Sequence, residues 1–433
     1  MADLIEPKIL KGFRDFLPEA EIDRRSLVER IEASFRSYGF VPIDTPVLEY
    51  AEILLGKGGG ETEKQIYRFN DHGGRDVALR FDLTVPFARF LAEHRNELAL
   101  PFKRYHIAKV WRGENTQRGR YREFTQCDFD IVGSDSVAAD FEILLMMRNT
   151  LQAIGVGDVR IHVNHRGIFN RFLQRIRGSD KSVDILRTVD KLAKIGREAT
   201  LDLLSEILDA PRAGEILSFI EPRENFEETL KAMTEAAGGE NADSERMRRI
   251  YGFMKDTGTA DSFFLNPSIT RGLDYYTGLV YETFLNDLPD IGSVCSGGRY
   301  DDLAGLYSKE KLSGVGSSIG LDRLISALES LGRLRKQKSY ADIAVACVRE
   351  EDGGGYQVLA DRLRKAGFPC EVLLEPKKMV QQYVLAEKKG ARWLIIPGDP
   401  LRENDLGLRD LRSRETRENI SLDEITTILK KEE

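Results

Sequence analysis

A chain of 433 residues is too long for one ordinary hydrophobic core, so two or three domains are expected. With 41% hydrophobic and 31% charged residues the composition is globular, and a net charge of −7 excludes a protein that coats nucleic acid nonspecifically, though not a locally basic face. The four cysteines, Cys127, Cys295, Cys347 and Cys370, form no C-x-x-C pair, which argues against a disulfide framework or structural zinc and for a reducing, cytoplasmic setting.

The N-terminal stretch MADLIEPKILKGFRDFLPEA carries acids where a signal peptide needs an apolar run, and no 18-residue apolar stretch follows, so no membrane span is expected. Residues 21–38 set Leu27, Ile31 and Phe35 at helical spacing and stop at Gly39. GFVPIDTPVLEY comes next; Pro42 and Pro46 rule out a helix and fit an edge strand or an interface. GKGGGET at 56–62 reads as a flexible glycine run rather than a phosphate cradle.

VALRFDLTV (77–85) alternates without a break. It predicts a strand with Val77, Leu79, Phe81, Leu83 and Val85 on one face and Ala78, Arg80, Asp82 and Thr84 on the other. KVWRGENTQRGRYREFTQCDFDIVG (109–133) repeats the pattern. Val110, Arg112 and Glu114 share a side, and residues 115–122 make a polar loop. Then Thr125, Cys127, Phe129 and Ile131 oppose Phe124, Gln126, Asp128 and Asp130. Strands with one apolar and one ionisable face predict an antiparallel sheet with one side open to a ligand.

Between about 170 and 260 no strong strand signal intervenes, and Val183, Leu186, Val189 and Leu192 line up as one helical stripe, so a helical insertion is expected. Strand-like segments resume with RGLDYYTGLVYETF and SVCSGGRYDDL, and SGVGSSIGLDRLISALESL ends in a helix. After the basic linker LGRLRKQKSY, the segments DIAVACV, YQVLADRLRKAG, CEVLL, KKMVQQYVLAEKKG and RWLIIPG alternate strand and helix, predicting a largely parallel α/β module. The expected plan is an α+β domain over 1–330, built on an antiparallel sheet with the insertion at about 170–260, and a smaller α/β domain over 340–433.

No G-x-x-x-x-G-K-[ST] loop occurs, and no G-x-G-x-x-G opens a helix after a strand. The five histidines, His72, His94, His106, His162 and His165, lack metal-ligand spacing with acids, so no protein metal site is expected. The arginines differ. Arg112, Arg120, Arg271 and Arg323 lie in or beside segments that are otherwise short-side-chained or aromatic, and planar guanidinium groups suit bidentate grips on phosphate. One such arginine alone would read as a surface salt bridge. Four of them, with Phe124 as a stacking ring and two glycine runs, point to a triphosphate site. Asp82, Glu114 and Asp130 suit magnesium or a cationic amine. The residues by themselves therefore describe a nucleotide site without a P-loop, on an antiparallel sheet, beside a small polar pocket.

These segments resemble the three signature motifs of class II aminoacyl-tRNA synthetases, and in detail the histidyl-tRNA synthetase family. GFVPIDTPVLE resembles motif 1; VWRGENTQRGRYREFTQCDFDIVG resembles motif 2, with Trp111, Arg112, Gly113 and Glu114 as its core; GVGSSIGLDRL resembles motif 3 and carries Arg323. RGLDYYTGLVYE and CSGGRYDDL are similar to stretches of the histidine family rather than of the class. The resemblance covers essentially the whole chain.

It implies an ATP-dependent ligase that forms histidyl-adenylate, releases pyrophosphate and transfers histidine to the 3′ end of tRNA(His), with Mg²⁺ bridging the phosphates. By the family's pattern Arg112 grips the α-phosphate, and Arg323 holds the γ-phosphate end and covers adenine opposite Phe124. Glu114 and Arg120 complete the ATP site. Arg271 sits near the α-phosphate and the substrate carboxylate. Asp82, Thr84 and Gln126 receive the α-amino group; Asp130, Tyr275 and Tyr276 read the imidazole. The module over 340–433 is implied to bind the anticodon, and motif 1 implies a homodimer; Lys377, Lys378 and Lys389 read either as RNA contacts or as a solvated helix face. The alternative is a catalytically silent regulatory subunit of ATP phosphoribosyltransferase. Such subunits typically lack the anticodon module and lose phosphate-binding arginines, both of which this chain retains.

Overall fold

The computed structural model describes residues 4–56, 63–156, 159–270, 276–301, 307, 311–402 and 404–432. Two compact units result, Met1–Arg14 with Leu27–Leu334, and Asp15–Ser26 with Arg335–Glu433.

The first unit opens with most of α1 (Pro18–Ser37), whose Leu27, Ile31 and Phe35 join the core, and which stops at Gly39 with a left-handed φ of 78°. β1 (Val41–Pro42) pairs parallel to β5 (Phe102–Trp111) at a sheet edge, where proline costs no ladder bond. A small sheet follows from β2 (Leu48–Tyr50), β3 (Arg68–Asn70) and β4 (Asp76–Leu79), with α2 (Ala51–Leu55) packed beside it. The strand predicted over 77–85 ends at Leu79. Asp82 Oδ1 instead accepts from Val85 N at 3.1 Å, a local bond that competes with the ladder and starts α3 (Thr84–His94). Asp82 and Thr84 thus share a turn, not a strand face.

β5 and β6 (Glu123–Val132) form a long antiparallel pair, and α4 (Val137–Ala153) then crosses the sheet, capped by Ser136 accepting from Ala138 N. β7 (Val159–His165) leads into the helical segment: α5 (Arg166–Arg175), α6 (Ser182–Val189), α7 (Leu192–Ile207), α8 (Ala210–Phe219), α9 (Phe226–Ala236) and α10 (Ala242–Asp256). The predicted stripe is split across two helices. Ile185, Leu186 and Val189 are buried, whereas Val183 is 43% exposed and Leu192 opens α7. β8 (Phe263–Leu265), β9 (Leu279–Leu285), β10 (Cys295–Tyr300), β11 (Gly314–Gly320) and α11 (Leu321–Ser330) complete the unit.

The main sheet has the order β1-β5-β6-β11-β10-β9-β7-β8. Its inner pairs are all antiparallel, and only the edges, β1 on β5 and β8 on β7, are parallel. Parity sorts its two faces. Tyr105, Phe129, Val315 and Tyr281 point into a core that also takes Phe35 and Met147. The opposite face carries Asp130, Asp128, Gln126 and Phe124 along β6, the partners of Arg104, His106, Ala108 and Val110 on β5.

In the second unit β12 (Ile343–Val345) pairs parallel to both β13 (Cys370–Val372) and β14 (Trp393–Pro397), joined by α12 (Gly353–Lys365) and α13 (Met379–Lys389). Two further strands, β15 (Leu406–Asp410) and β16 (Thr416–Ile420), extend it antiparallel before α14 (Leu422–Glu432). That extension is absent from the sequence reading, because no residue of β16 is buried and it leaves no apolar alternation to detect.

Candidate active site

One cavity of about 350 Å³ opens on the polar face of the main sheet. Ten residues singled out from the sequence line it: Asp82, Thr84, Arg112, Glu114, Arg120, Phe124, Gln126, Asp130, Tyr276 and Arg323. Arg271 and Tyr275 lie outside the described residues, as do residues 57–62 of the glycine run.

The floor is β6 flanked by β11. Asp130 pairs across to Gly316, and a Cβ built on Gly316 would stand 1.8 Å from Asp130 Oδ1, so glycine alone leaves room for that carboxyl. Gly298, the next partner in the same row, makes room for Tyr276 in the same way, since a Cβ there would meet the Tyr276 ring at 2.7 Å. Asp130 is buried and doubly held, by an ion pair from Arg104 Nη2 at 2.6 Å to Oδ2 and by the Tyr300 hydroxyl donating to Oδ1 at 2.5 Å. Burial raises the Asp130 pKa; Arg104 and Tyr300 oppose that shift without cancelling it.

Two same-face positions along the strand, Gln126 Nε2 donates to Ser318 Oγ at 2.9 Å, while Gln126 Oε1 is buried with no partner among the described residues. Asp128 lies between Asp130 and Gln126, 2% exposed, and its Oδ1 likewise has no partner among the described residues. Burial pushes the Asp128 carboxyl up to about 7, against the nearby Arg104 charge and a bond from Ser318. Asp82, above the floor, is also raised by burial.

Guanidinium groups collect at the other side. Arg112 Nε donates to the Phe81 carbonyl at 2.8 Å, with its Cζ 5.1 Å from the Phe124 ring centroid. Arg323 Nη1 donates to the Ser293 carbonyl at 2.5 Å, and Arg120 lies 3.7 Å from Glu114. Burial lowers the Arg323 pKa, and repulsion from Arg120 and Arg112 adds to it. Three guanidinium groups facing one carboxylate leave an excess of positive charge that an anion would relieve.

Several residues that build the site escaped the sequence reading. Arg104 is fully buried beneath Asp130, with its guanidinium 3.9 Å from the Phe87 ring centroid. Tyr300, Ser318 and Tyr121 line the cavity. Asp322 lines it too, accepting from Thr125 N at 2.6 Å through Oδ2 while Oδ1 pairs with Arg14. Arg14 also stacks on the Tyr121 ring at 3.8 Å. Asp128 was on the predicted face but carried no role. Strand parity was the available signal for Arg104, two residues before His106 on β5; nothing local marks Arg14.

No group of three or more His, Cys, Asp or Glu side chains among the described residues is arranged to hold a metal ion. No described helix is long and apolar enough to cross a membrane.

A family model described as histidyl-tRNA synthetase matches residues 12–324, and one described as an anticodon binding domain matches residues 342–432. The chain is 57% identical to a histidine–tRNA ligase of Treponema denticola over 91% of this chain and 89% of that one. It is 52% identical to a histidine–tRNA ligase of Treponema pallidum over 90% of each. Among solved structures, the histidyl-tRNA synthetase of Nostoc sp. PCC 7120 superposes with a TM-score of 0.89 at 31% identity, covering 99% of this chain and 100% of that one.

Proposed function

The chain belongs to the histidyl-tRNA synthetase family, and on that premise we propose how its cavity carries the reaction. The protein is an aminoacyl-tRNA synthetase: it activates L-histidine with ATP to histidyl-adenylate, releasing pyrophosphate, and transfers the histidyl group to the 3′ end of tRNA(His). One observation carries the roles. A single cavity gathers Arg112, Arg120 and Arg323 around Glu114, with Asp128 and Asp130 on its floor and Asp82 above them.

A substrate carboxylate oxygen attacks the α-phosphorus in line, the new P–O bond forms, and the bond to the pyrophosphate oxygen breaks. Positioning and charge neutralisation suffice, without a protein nucleophile. Arg112 grips the α-phosphate, Arg323 the γ-phosphate end, and Phe124 stacks on adenine with Arg323 opposite. Arg120 and Glu114 border the triphosphate. Arg271 neutralises charge between the α-phosphate and the attacking carboxylate. Asp82, Thr84 and Gln126 receive the α-ammonium group; Asp130, Tyr275 and Tyr276 read the imidazole, whose paired donor and acceptor reject apolar isosteres.

Mg²⁺, when bound, neutralises phosphate charge. Glu114 stands among the arginines as the carboxylate suited to it.

Residues 1–330 are the catalytic domain and 340–433 bind the anticodon, with Lys377, Lys378 and Lys389 on the RNA. The chain works in the cytoplasm as a homodimer through motif 1. Val41, Val47, Leu48 and Tyr50, all exposed there, support that reading, and sedimentation showing a monomer at micromolar concentration would refute it. A silent regulatory subunit needs neither the arginine cluster nor an anticodon module.

The test is histidine-dependent ATP–pyrophosphate exchange with Mg²⁺ and no tRNA. Exchange at background, or equal exchange with glutamine or threonine, would overturn the reading.

A further inference from the structure

Asp128 has no role in the reading above, yet it is the most exposed to chemical demand of the floor residues. It is buried, it lines the cavity, and its Oδ1 has no hydrogen-bond partner among the described residues. Its neighbours are already committed. Arg104, the nearest buried cation, pairs with Asp130 at 2.6 Å. The Ser318 hydroxyl accepts from Gln126 Nε2 at 2.9 Å and turns its own proton toward Asp128. That arrangement leaves Gln126 Oε1 without a partner among the described residues as well. Gln126 Oε1 and Asp128 Oδ1, oxygens of two neighbouring lining residues, are therefore both buried and unpaired among the described residues. Asp82, whose Oδ1 takes the Val85 N–H at 3.1 Å, adds a carboxyl close enough to bias Asp128 electrostatically. A group with several N–H donors and a positive charge satisfies all three at once, as a primary ammonium does.

Register says which part of the substrate that is. Side chains on one face of a strand repeat about every 6.6 Å. Asp130, Asp128, Gln126 and Phe124 occupy successive positions from the Tyr300 end to the Arg112 end. A histidine spans only about one such step, so an imidazole held at Asp130 with its carboxylate directed along the strand toward the α-phosphate end puts the α-amino nitrogen near Asp128 and Gln126.

We propose that Asp128 is a direct ligand of the substrate α-ammonium group, beside Asp82, Thr84 and Gln126. This deepens the family reading and rests on it. Asp128 thereby selects for an amino acid over a deaminated analogue, and it fixes the carboxylate's approach to phosphorus through the nitrogen it holds.

The test compares wild type with Asp128→Asn by pyrophosphate exchange, and by inhibition with histidinol and with imidazolepropionate. Histidinol keeps the amine and lacks the carboxylate; imidazolepropionate lacks the amine. The variant is expected to raise the KM for histidine and the Ki for histidinol by about 10- to 100-fold, leaving the KM for ATP and the Ki for imidazolepropionate within about twofold. Unchanged histidine KM overturns the proposal, because the carboxyl then faces only water. Equal weakening of both analogues also overturns it, because Asp128 would then serve the ring or the fold. Should Asp128→Asn fail to fold, Asp128→Ser carries the same readouts. Failure of wild type to exchange with histidine would instead sink the family reading, a distinct result.

Discussion

The Tyr300 hydroxyl donates to Asp130 Oδ1 at 2.5 Å, on the side of the carboxyl away from Arg104, whose Nη2 lies 2.6 Å from Oδ2. The buried carboxyl is thus oriented from both sides before any ligand arrives. Burial raises the Tyr300 pKa well above the usual phenol value, so it remains a donor throughout the working pH range.

Removing that donor tests the orientation. Tyr300→Phe strands Asp130 Oδ1 and is expected to raise the KM for histidine about 10-fold, with the KM for ATP unchanged. Steady-state exchange kinetics measure both constants. A histidine KM within about twofold of wild type would remove Tyr300 from substrate recognition.

Arg271 is expected to act on the chemical step. Arg271→Ala should lower kcat by roughly 10²–10³ while histidine binding survives, since it removes one preorganised charge partner of the reacting groups. Single-turnover adenylate formation together with calorimetric titration of histidine would separate the two effects. Near-normal turnover would take Arg271 out of the site.

Arg14 lies far from β6 in sequence, but its ion pair to Asp322 and its stacking on Tyr121 tie the loop over 115–122 to the start of α11. Asp322 in turn accepts the Thr125 N–H at 2.6 Å. Arg14→Ala should raise the KM for ATP about 5- to 10-fold with little change in that for histidine. Arg14→Lys keeps the charge but loses the planar stack, so it should fall between the two. Equal changes in both KM values would mean general loosening instead.

Asp128 also makes stability depend on pH. Its folded pKa is raised to about 7, so at pH below that value the folded protein holds a proton that the unfolded chain releases near the ordinary carboxylate range. The favourable contribution is present at low pH and is lost as pH rises through about 7, where the ionised carboxyl faces Arg104, His106, Asp130 and Asp82 without a cation of its own. Asp128→Asn should therefore raise the unfolding midpoint of the ligand-free protein by several degrees at about pH 8 and by less at about pH 5. The opposite ordering in a thermal-melt series would contradict the carboxyl's ionisation in the folded state.

His165, which is not among the residues lining the cavity, gives a structural control. Its Nδ1 accepts from Gly167 N at 3.2 Å, capping α5, which requires neutral imidazole. Asp243 Oδ1 at 3.9 Å is therefore a neighbour and not an ion-pair partner. Burial lowers the pKa to about 4, so the stability it contributes is present above the unfolded value and is lost as pH falls toward 4. His165→Ala should cost about 1–2 kcal/mol and His165→Asn less, measured by urea unfolding at neutral pH.

What the sequence determined by itself was which residues share a face. Period-two alternation along β6 separated Cys127, Phe129 and Ile131 from Gln126, Asp128 and Asp130, because a strand has only two sides and water rewards sorting them. The same logic failed at residues 80–85, where a side-chain-to-backbone bond from Val85 to Asp82 outcompeted the ladder, and alternation carries no trace of such a bond. The motif resemblance supplied identities and roles that no periodicity contains. Which groups are already paired emerges in three dimensions: Arg104 and Tyr300 with Asp130, Arg14 with Asp322, and Asp128 and Gln126 each with an oxygen left open among the described residues. Pairing depends on register between strands far apart in the chain and on the room that Gly316 and Gly298 leave, and neither is a local property of sequence.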